Sequence, residues 1–275
     1  MTRTAIVTDS SACLPRSAPD WPAVRVVPIA LHLGSGDVRL DPTVAASEIY
    51  RALERDEPVK SSAPTALEYL AAVEETDADE IAIVTPAAEF TVMHRNARLA
   101  AELAAPRRVA VLDSRTAAAA HGLVVLEASE RAAEGASLEE VLEVAADASR
   151  RAELVAALDR LDFLRRSGRV PSVQLGLAEH LGVRPVFRLV GGAVERVGLA
   201  RSPSAALRRV HREARGRDLD GAARVAVFHA DRAERAEELR RLIGRDASVS
   251  EFSPSMGIHT GPGVVGVAWL RSPSA

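Results

Sequence analysis

Residues 4–11 read TAIVTDSS and residues 108–115 read RVAVLDSR. Each is a short apolar run that ends in an aspartate and a serine. IAIV at 81–84 repeats the run, and VRVVPIALHL at 24–33 is a longer version of it. Helix-like segments lie between or beside them, at 45–55, 65–75, 94–104 and 116–134. Apolar runs alternating with helices predict a parallel sheet covered on both faces. Ligands of such sheets bind beyond the carboxyl ends of the strands, which is where TDSS and LDSR fall.

The pattern continues and then changes. Residues 137–150 (SLEEVLEVAADASR) predict a helix with Ser137 as N-cap and Glu140 three residues on. LVAALD at 154–159 reads as a strand, and RLDFLRRSGRV as a helix ending at Gly168. RPVFRLVGGAVERVGLA at 184–200 reads as two strands joined at Gly191-Gly192, a hairpin signal. A helix at 203–215, a strand at 224–229, a helix at 231–243 and strands at 248–252 and 264–270 complete the chain. A boundary near residue 150 divides it into an N-terminal α/β domain, 1–150, and a C-terminal α/β domain, 151–275, with a mixed sheet. A length of 275 residues accommodates two such domains.

Composition excludes several functions. A net charge of −3 and 3% aromatic residues lack the basic footprint and stacking platforms of a nucleic-acid protein. Cys13 is the sole cysteine, so neither an internal disulfide nor a thiolate metal cluster can form. No apolar segment approaches the length of a membrane span and no secretory leader opens the chain, so the expectation is a soluble cytoplasmic protein. None of His32, His94, His121, His180, His211, His229 and His259 has metal-ligand spacing. There is no GxGxxG or Walker loop, and GSG at 34–36 is a lone turn.

Two stretches carry candidate chemistry. GIHTGPGVVGVA at 257–268 sets His259 and Thr260 against Gly261, Pro262 and Gly263. Glycine reaches φ > 0 and proline fixes its own φ, so the bend can aim both side chains at a ligand; the plainer alternative is an exposed loop tip. KSSAPT at 60–65 holds a hydroxyl cluster. Thr65 is accounted for as an N-cap, which leaves Ser61 and Ser62 as candidates.

The ordered set IVTDSS, RLDPTVAASEIYRAL, KSSAPT, VLDSR, LDFLRRSGRV, VRPVFRLVGGAVERVGLARS and GIHTGPGVVGVA resembles the DegV family, the bacterial fatty-acid-binding proteins called FakB where they partner a fatty acid kinase. The resemblance runs from residue 4 to residue 270. It implies a two-domain α/β fold that buries one long-chain fatty acid in an apolar tunnel and presents the carboxylate, without catalysing, to a separate kinase that makes an acyl phosphate for phospholipid synthesis. It implies no cofactor and no stable membrane insertion, with contact at a membrane transient at most. Carried over residue by residue, the carboxylate and kinase-facing positions are Ser61, Thr91, His259 and Arg201. Burying an unpaired carboxylate costs several kcal/mol. Charge-assisted hydrogen bonds of about 1.5–3 kcal/mol each offset that, and roughly 0.8 kcal/mol per buried CH₂ gives the tail ample affinity.

The chain also departs from the family pattern. Thr91-Val92-Met93 stands where the family has Ser-Gly-Thr, which puts the bulk of Val92 beside the expected ligand head; Ala63 stands in place of a glutamine, and His121 precedes Gly122. Two other readings are open at this stage. One is a small hydrolase or transferase using Ser10, Asp113 and His259, although no GxSxG elbow is present. The other is a scaffold whose site is filled, which predicts a solid apolar core in place of the tunnel.

Overall fold

The computed structural model describes residues 3–14, 24–34, 36–41, 43–169 and 182–273. Ser35 of the GSG turn, Val170 and His180 lie outside the described residues. The strands are β1 (Thr4–Asp9), β2 (Val24–Val27), β3 (Ala30–Leu33), β4 (Asp37–Leu40), β5 (Val59–Ser62), β6 (Glu80–Thr85), β7 (Arg108–Asp113), β8 (Ala152–Ala157), β9 (Arg184–Val190), β10 (Ala193–Ala200), β11 (Arg224–His229), β12 (Ser248–Glu251) and β13 (Val265–Leu270). The helices are α1 (Ala46–Glu54), α2 (Ala66–Glu75), α3 (Met93–Leu103), α4 (Ala118–Ala133), α5 (Leu138–Arg151), α6 (Asp162–Ser167), α7 (Pro203–Arg215), α8 (Ala233–Ile243) and α9 (Pro254–Thr260).

The expected parallel sheet is present, in the order β2-β1-β6-β7. β1 and β6 are buried at every position, as central strands covered on both faces must be. The second sheet is mixed, in the order β10-β9-β8-β13-β11-β12, with only β11 and β12 parallel. Gly191 and Gly192 make the β9–β10 turn, both at positive φ, and Ser137–Glu140 and Thr65–Glu68 form capping boxes at α5 and α2.

Several elements differ from the sequence reading. The run at 24–33 is two strands, because Pro28 cannot donate to a ladder; β2 joins the parallel sheet and β3 joins a separate antiparallel sheet, β4-β3-β5. The short strands β4 and β5 were not foreseen. Neither was α9, which carries His259 and Thr260 on its last turn, so the GPG bend starts only after them. Its signal was legible: Pro254 at N1 and Gly261 just past the end bracket a short helix.

α4 explains part of the alanine richness. Ala118, Ala119, Ala120, Val124, Val125, Ala128 and Ala132 are all buried, since the helix lies against β1 on one side and β8, β11 and β13 on the other. Small side chains let a helix fit between two sheets; a helix apolar all round is a buried one. The expected boundary near residue 150 falls at the α5–β8 junction, and one buried cluster runs across it, uniting Ile6 and Ala82 with Leu154 and Phe228.

Strand alternation then divides the mixed sheet. Val155, Val186, Val227, Val265, Val267 and Trp269 pack on α7 and α8. Leu154, Ala156, Phe187, Leu189 and Phe228 belong to the cluster that includes α4.

Candidate functional site

On that second face the side chains enclose a cavity of about 200 Å³. Leu154, Ala156, Leu158, Phe187, Leu189 and Phe228 contribute to its wall. The Phe228 ring stacks on Phe252 with centroids 5.1 Å apart and planes within 7°. Polar residues also line it: Ser11, Ser61, Thr91, Arg169, Arg188, Ser255, His259 and Thr260. A second, more polar cavity of about 390 Å³ shares Ser61, Arg169 and His259 with it and adds Lys60, Arg166, Asp56 and Glu57. Ser61, His259 and Arg169 thus stand where an apolar chamber meets a polar one.

Each of the three is held by its element. Ser61 sits on β5 directly across from Leu31, which is fully buried. The pleat therefore turns Ser61 inward and Ser62 the other way, where Ser62 meets His32 Nε2 at 2.7 Å. His259 projects from α9, and its Nε2 lies 3.1 Å from Ser61 Oγ. Gly261, at φ 71°, ends that helix against the ring of Phe163, and any side chain there would collide with the ring. Phe163 belongs to α6, whose C-cap Gly168 is left-handed and launches Arg169. The same aromatic contact thus links His259 to the segment that carries the cation.

Burial, reinforced by the charge of Arg169, lowers the His259 pKa to about 4. The imidazole is neutral at pH 7, and Ser61 and the ring can exchange donor and acceptor roles. The group can then serve as a cationic or hydrogen-bonding seat for an anion, since an anion placed here relieves the penalty on the imidazolium.

Behind the polar wall lie two buried acids. Asp9 ends β1, and its carboxylate accepts from the Ser11 N–H at 3.0 Å and from Tyr69 Oη at 3.3 Å; burial raises its pKa to about 6. Asp41 follows β4, accepts from the Ser255 N–H at 3.2 Å and is likewise raised by burial.

Of the six residues singled out in the sequence, Ser61, Thr91, His259 and Thr260 line the cavity and two do not. Ser62 is turned away by strand alternation. Arg201 is exposed just past the edge strand β10, outside the cavity lining, whose arginines are Arg169 and Arg188. The Thr260 hydroxyl donates to the Met256 carbonyl at 3.3 Å, within its own helix. Val92 does not crowd the site: the residue is 46% exposed, while Thr91 and Met93 on either side line the cavity. His121 is a core residue on α4 that meets Thr8 Oγ1 at 3.1 Å.

The Ser10, Asp113 and His259 set is not assembled. Ser10 Oγ accepts the Ile29 amide at 3.2 Å, Asp113 accepts the amides of Ala88 and Arg115, and His259 pairs with Ser61. Ser11, Ser255 and Arg169 were missed. Ser11 follows β1 in TDSS, the strand-end motif already marked as ligand-facing. Arg169 follows a helix-ending glycine, the usual sign that the chain changes direction.

The profile of the family described as "Uncharacterised protein, DegV family" matches residues 3–272. The chain belongs to the DegV family. A DegV domain-containing protein of Streptomyces coelicolor is 33% identical over 272 residues, covering 96% of each chain. A DegV family protein from Thermus thermophilus, described for its fatty acid binding, superimposes with a TM-score of 0.88 at 28% identity, covering 98% of this chain and 100% of that one. The DegV family protein Cg2579 of Corynebacterium glutamicum gives a TM-score of 0.81 at 26% identity and full coverage of both chains. Bacillus subtilis DegV, described as a fatty acid binding protein, shares the fold at a TM-score of 0.87 and 22% identity. Among the described residues, no helix is long and apolar enough to cross a membrane.

Proposed function

We propose that this DegV family member binds one long-chain fatty acid, with the acyl chain in the apolar cavity and the carboxylate at Ser61, His259 and Arg169. Residues 1–150 supply Ser61, Thr91 and Ser11, and residues 151–275 supply Arg169, His259 and most of the apolar wall. The protein acts as a carrier, presenting the carboxylate through the polar chamber to a separate fatty acid kinase in the cytoplasm.

The observation that carries the reading is the junction: an apolar chamber that ends on a hydroxyl, a neutral imidazole and a guanidinium, with a polar chamber beyond. The fatty acid binding described for the Thermus thermophilus relative supports it. A filled-site scaffold needs a solid core here, and the core is hollow.

Delipidated protein titrated with palmitic acid and with its methyl ester tests the reading. The ester keeps the tail and removes the anion, so the acid is expected to bind at least about ten-fold tighter, the equivalent of one charge-assisted bond. Equal affinities contradict the carboxylate seat, and failure of both to bind contradicts the cavity assignment. Adding an ATP-dependent fatty acid kinase to the loaded protein is expected to yield acyl phosphate; an unreacted acid contradicts the partnership.

A further inference from the structure

We propose that Asp41 is a positioning residue for His259: its carboxylate caps α9 from the other half of the chain and fixes the turn that aims the imidazole at Ser61. α9 has no cap of its own. Ser253 at the N-cap makes no side-chain cap bond and Pro254 has no N–H, so the first donor the helix offers is the amide of Ser255. That amide goes to Asp41 Oδ2 at 3.2 Å, across 214 positions of sequence.

The position of Asp41 gives the contact its consequence. It immediately follows β4, in the same three-stranded sheet whose β5 carries Ser61. Ser255 and His259 are four residues apart, one turn along the same face of the helix, and both line the cavity. Holding Ser255 therefore sets the rotation of His259 about the helix axis relative to the strand bearing its partner. The carboxylate is fully buried, and its Oδ1 has no partner within hydrogen-bond distance. An orphaned buried acceptor costs stability, so a group kept here at that cost fits a role in the site better than a role in the core.

The proposal rests on the fatty-acid reading for its affinity consequences but not for its geometry, and the test separates them. In ligand-free protein, ¹⁵N-edited NMR of the histidine rings reads the Ser61–His259 bond directly. Asp41→Ala is expected to shift the His259 ring signals, and Asp41→Asn, which keeps an acceptor for the Ser255 amide, to return them toward wild type. Ser255→Pro deletes the donor at a helix position that tolerates proline and is expected to reproduce the Asp41→Ala shift, which keeps the test decisive if Asp41→Ala does not fold. Palmitic acid titration gives the second arm. Asp41→Ala is expected to weaken binding by roughly five-fold, the scale of a lost cap, and to have almost no further effect in a His259→Ala background. Unchanged ring signals in the folded variants, or the same loss in both backgrounds, overturn the proposal. A wild-type chain that binds no palmitate but shows the NMR shifts leaves Asp41 in its role and removes the fatty acid.

Discussion

The two faces of the mixed sheet are built from the same strands and do opposite things. On one face Val155, Val186, Val227, Val265, Val267 and Trp269 are packed solid against α7 and α8. On the other, Leu154, Ala156, Phe187, Leu189 and Phe228 leave a cavity. β-branched residues dominate the closed face and suit a surface that must interlock. The open face mixes large rings with Ala156, and alanine-rich α4 opposite it offers little bulk. A core is therefore not uniformly optimised within one domain: alternate residues of a strand can be chosen to fill and to spare.

The comparison can be broken from either side. Trp269→Ala on the closed face is expected to cost about 3–5 kcal/mol of stability by denaturant titration, with lipid content per folded molecule unchanged. Ala156→Phe on the open face is expected to do the reverse. Its ring enters space already empty, so stability changes by less than about 1 kcal/mol, while palmitate affinity falls by about 3 kcal/mol as several methylenes are displaced. If Ala156→Phe destabilises as strongly as Trp269→Ala, the two faces are equally packed and the contrast fails.

His259→Ala acts at the rim rather than on either face, and about 1.5–3 kcal/mol of palmitate affinity is expected to be lost by calorimetry, with the tail retaining the rest. The smallest effect is in pH. The His259 pKa is about 4 in the free protein, below its ordinary value of 6.5, so its contribution to folding is present above 6.5 and is lost as pH falls toward 4. A carboxylate beside the ring raises that pKa again, so binding takes up a proton and affinity is expected to rise about three-fold between pH 7 and pH 6. His259→Gln is expected to flatten that rise, and a rise that survives the substitution assigns it to another group. Asp9 has the opposite sign: its pKa is raised from 3.8 to about 6, so its contribution is present below 3.8 and is lost as pH climbs through 6.

Much of this was legible in the chain. The parallel sheet followed from apolar runs separated by helices, and the N-caps at Ser137 and Thr65 marked two helix starts. Ser61 and His259 were marked by their hydroxyl and imidazole motifs and Thr91 by the family resemblance, and all three line the cavity. Ser62 was not separable from Ser61, because the face of a strand is fixed only by its partner, and β5 has a register only once β3 is placed beside it. Arg201 was carried over from the resemblance and Arg169 was overlooked for a similar reason. Both follow well-defined elements, but only the contact of Phe163 with Gly261 brings the end of α6 to the cavity, and such a contact between distant segments leaves no trace in local sequence. Asp41 is the extreme case: its partner lies 214 residues away.

The most direct test of the hollow face is what it holds. Protein purified under native conditions, denatured and extracted, is expected to release one long-chain fatty acid per chain by mass spectrometry, and Ala156→Phe protein to release a small fraction of that amount. Wild-type protein that yields no fatty acid from any expression host, or that yields as much after Ala156→Phe, would contradict the assignment of the cavity to an acyl chain.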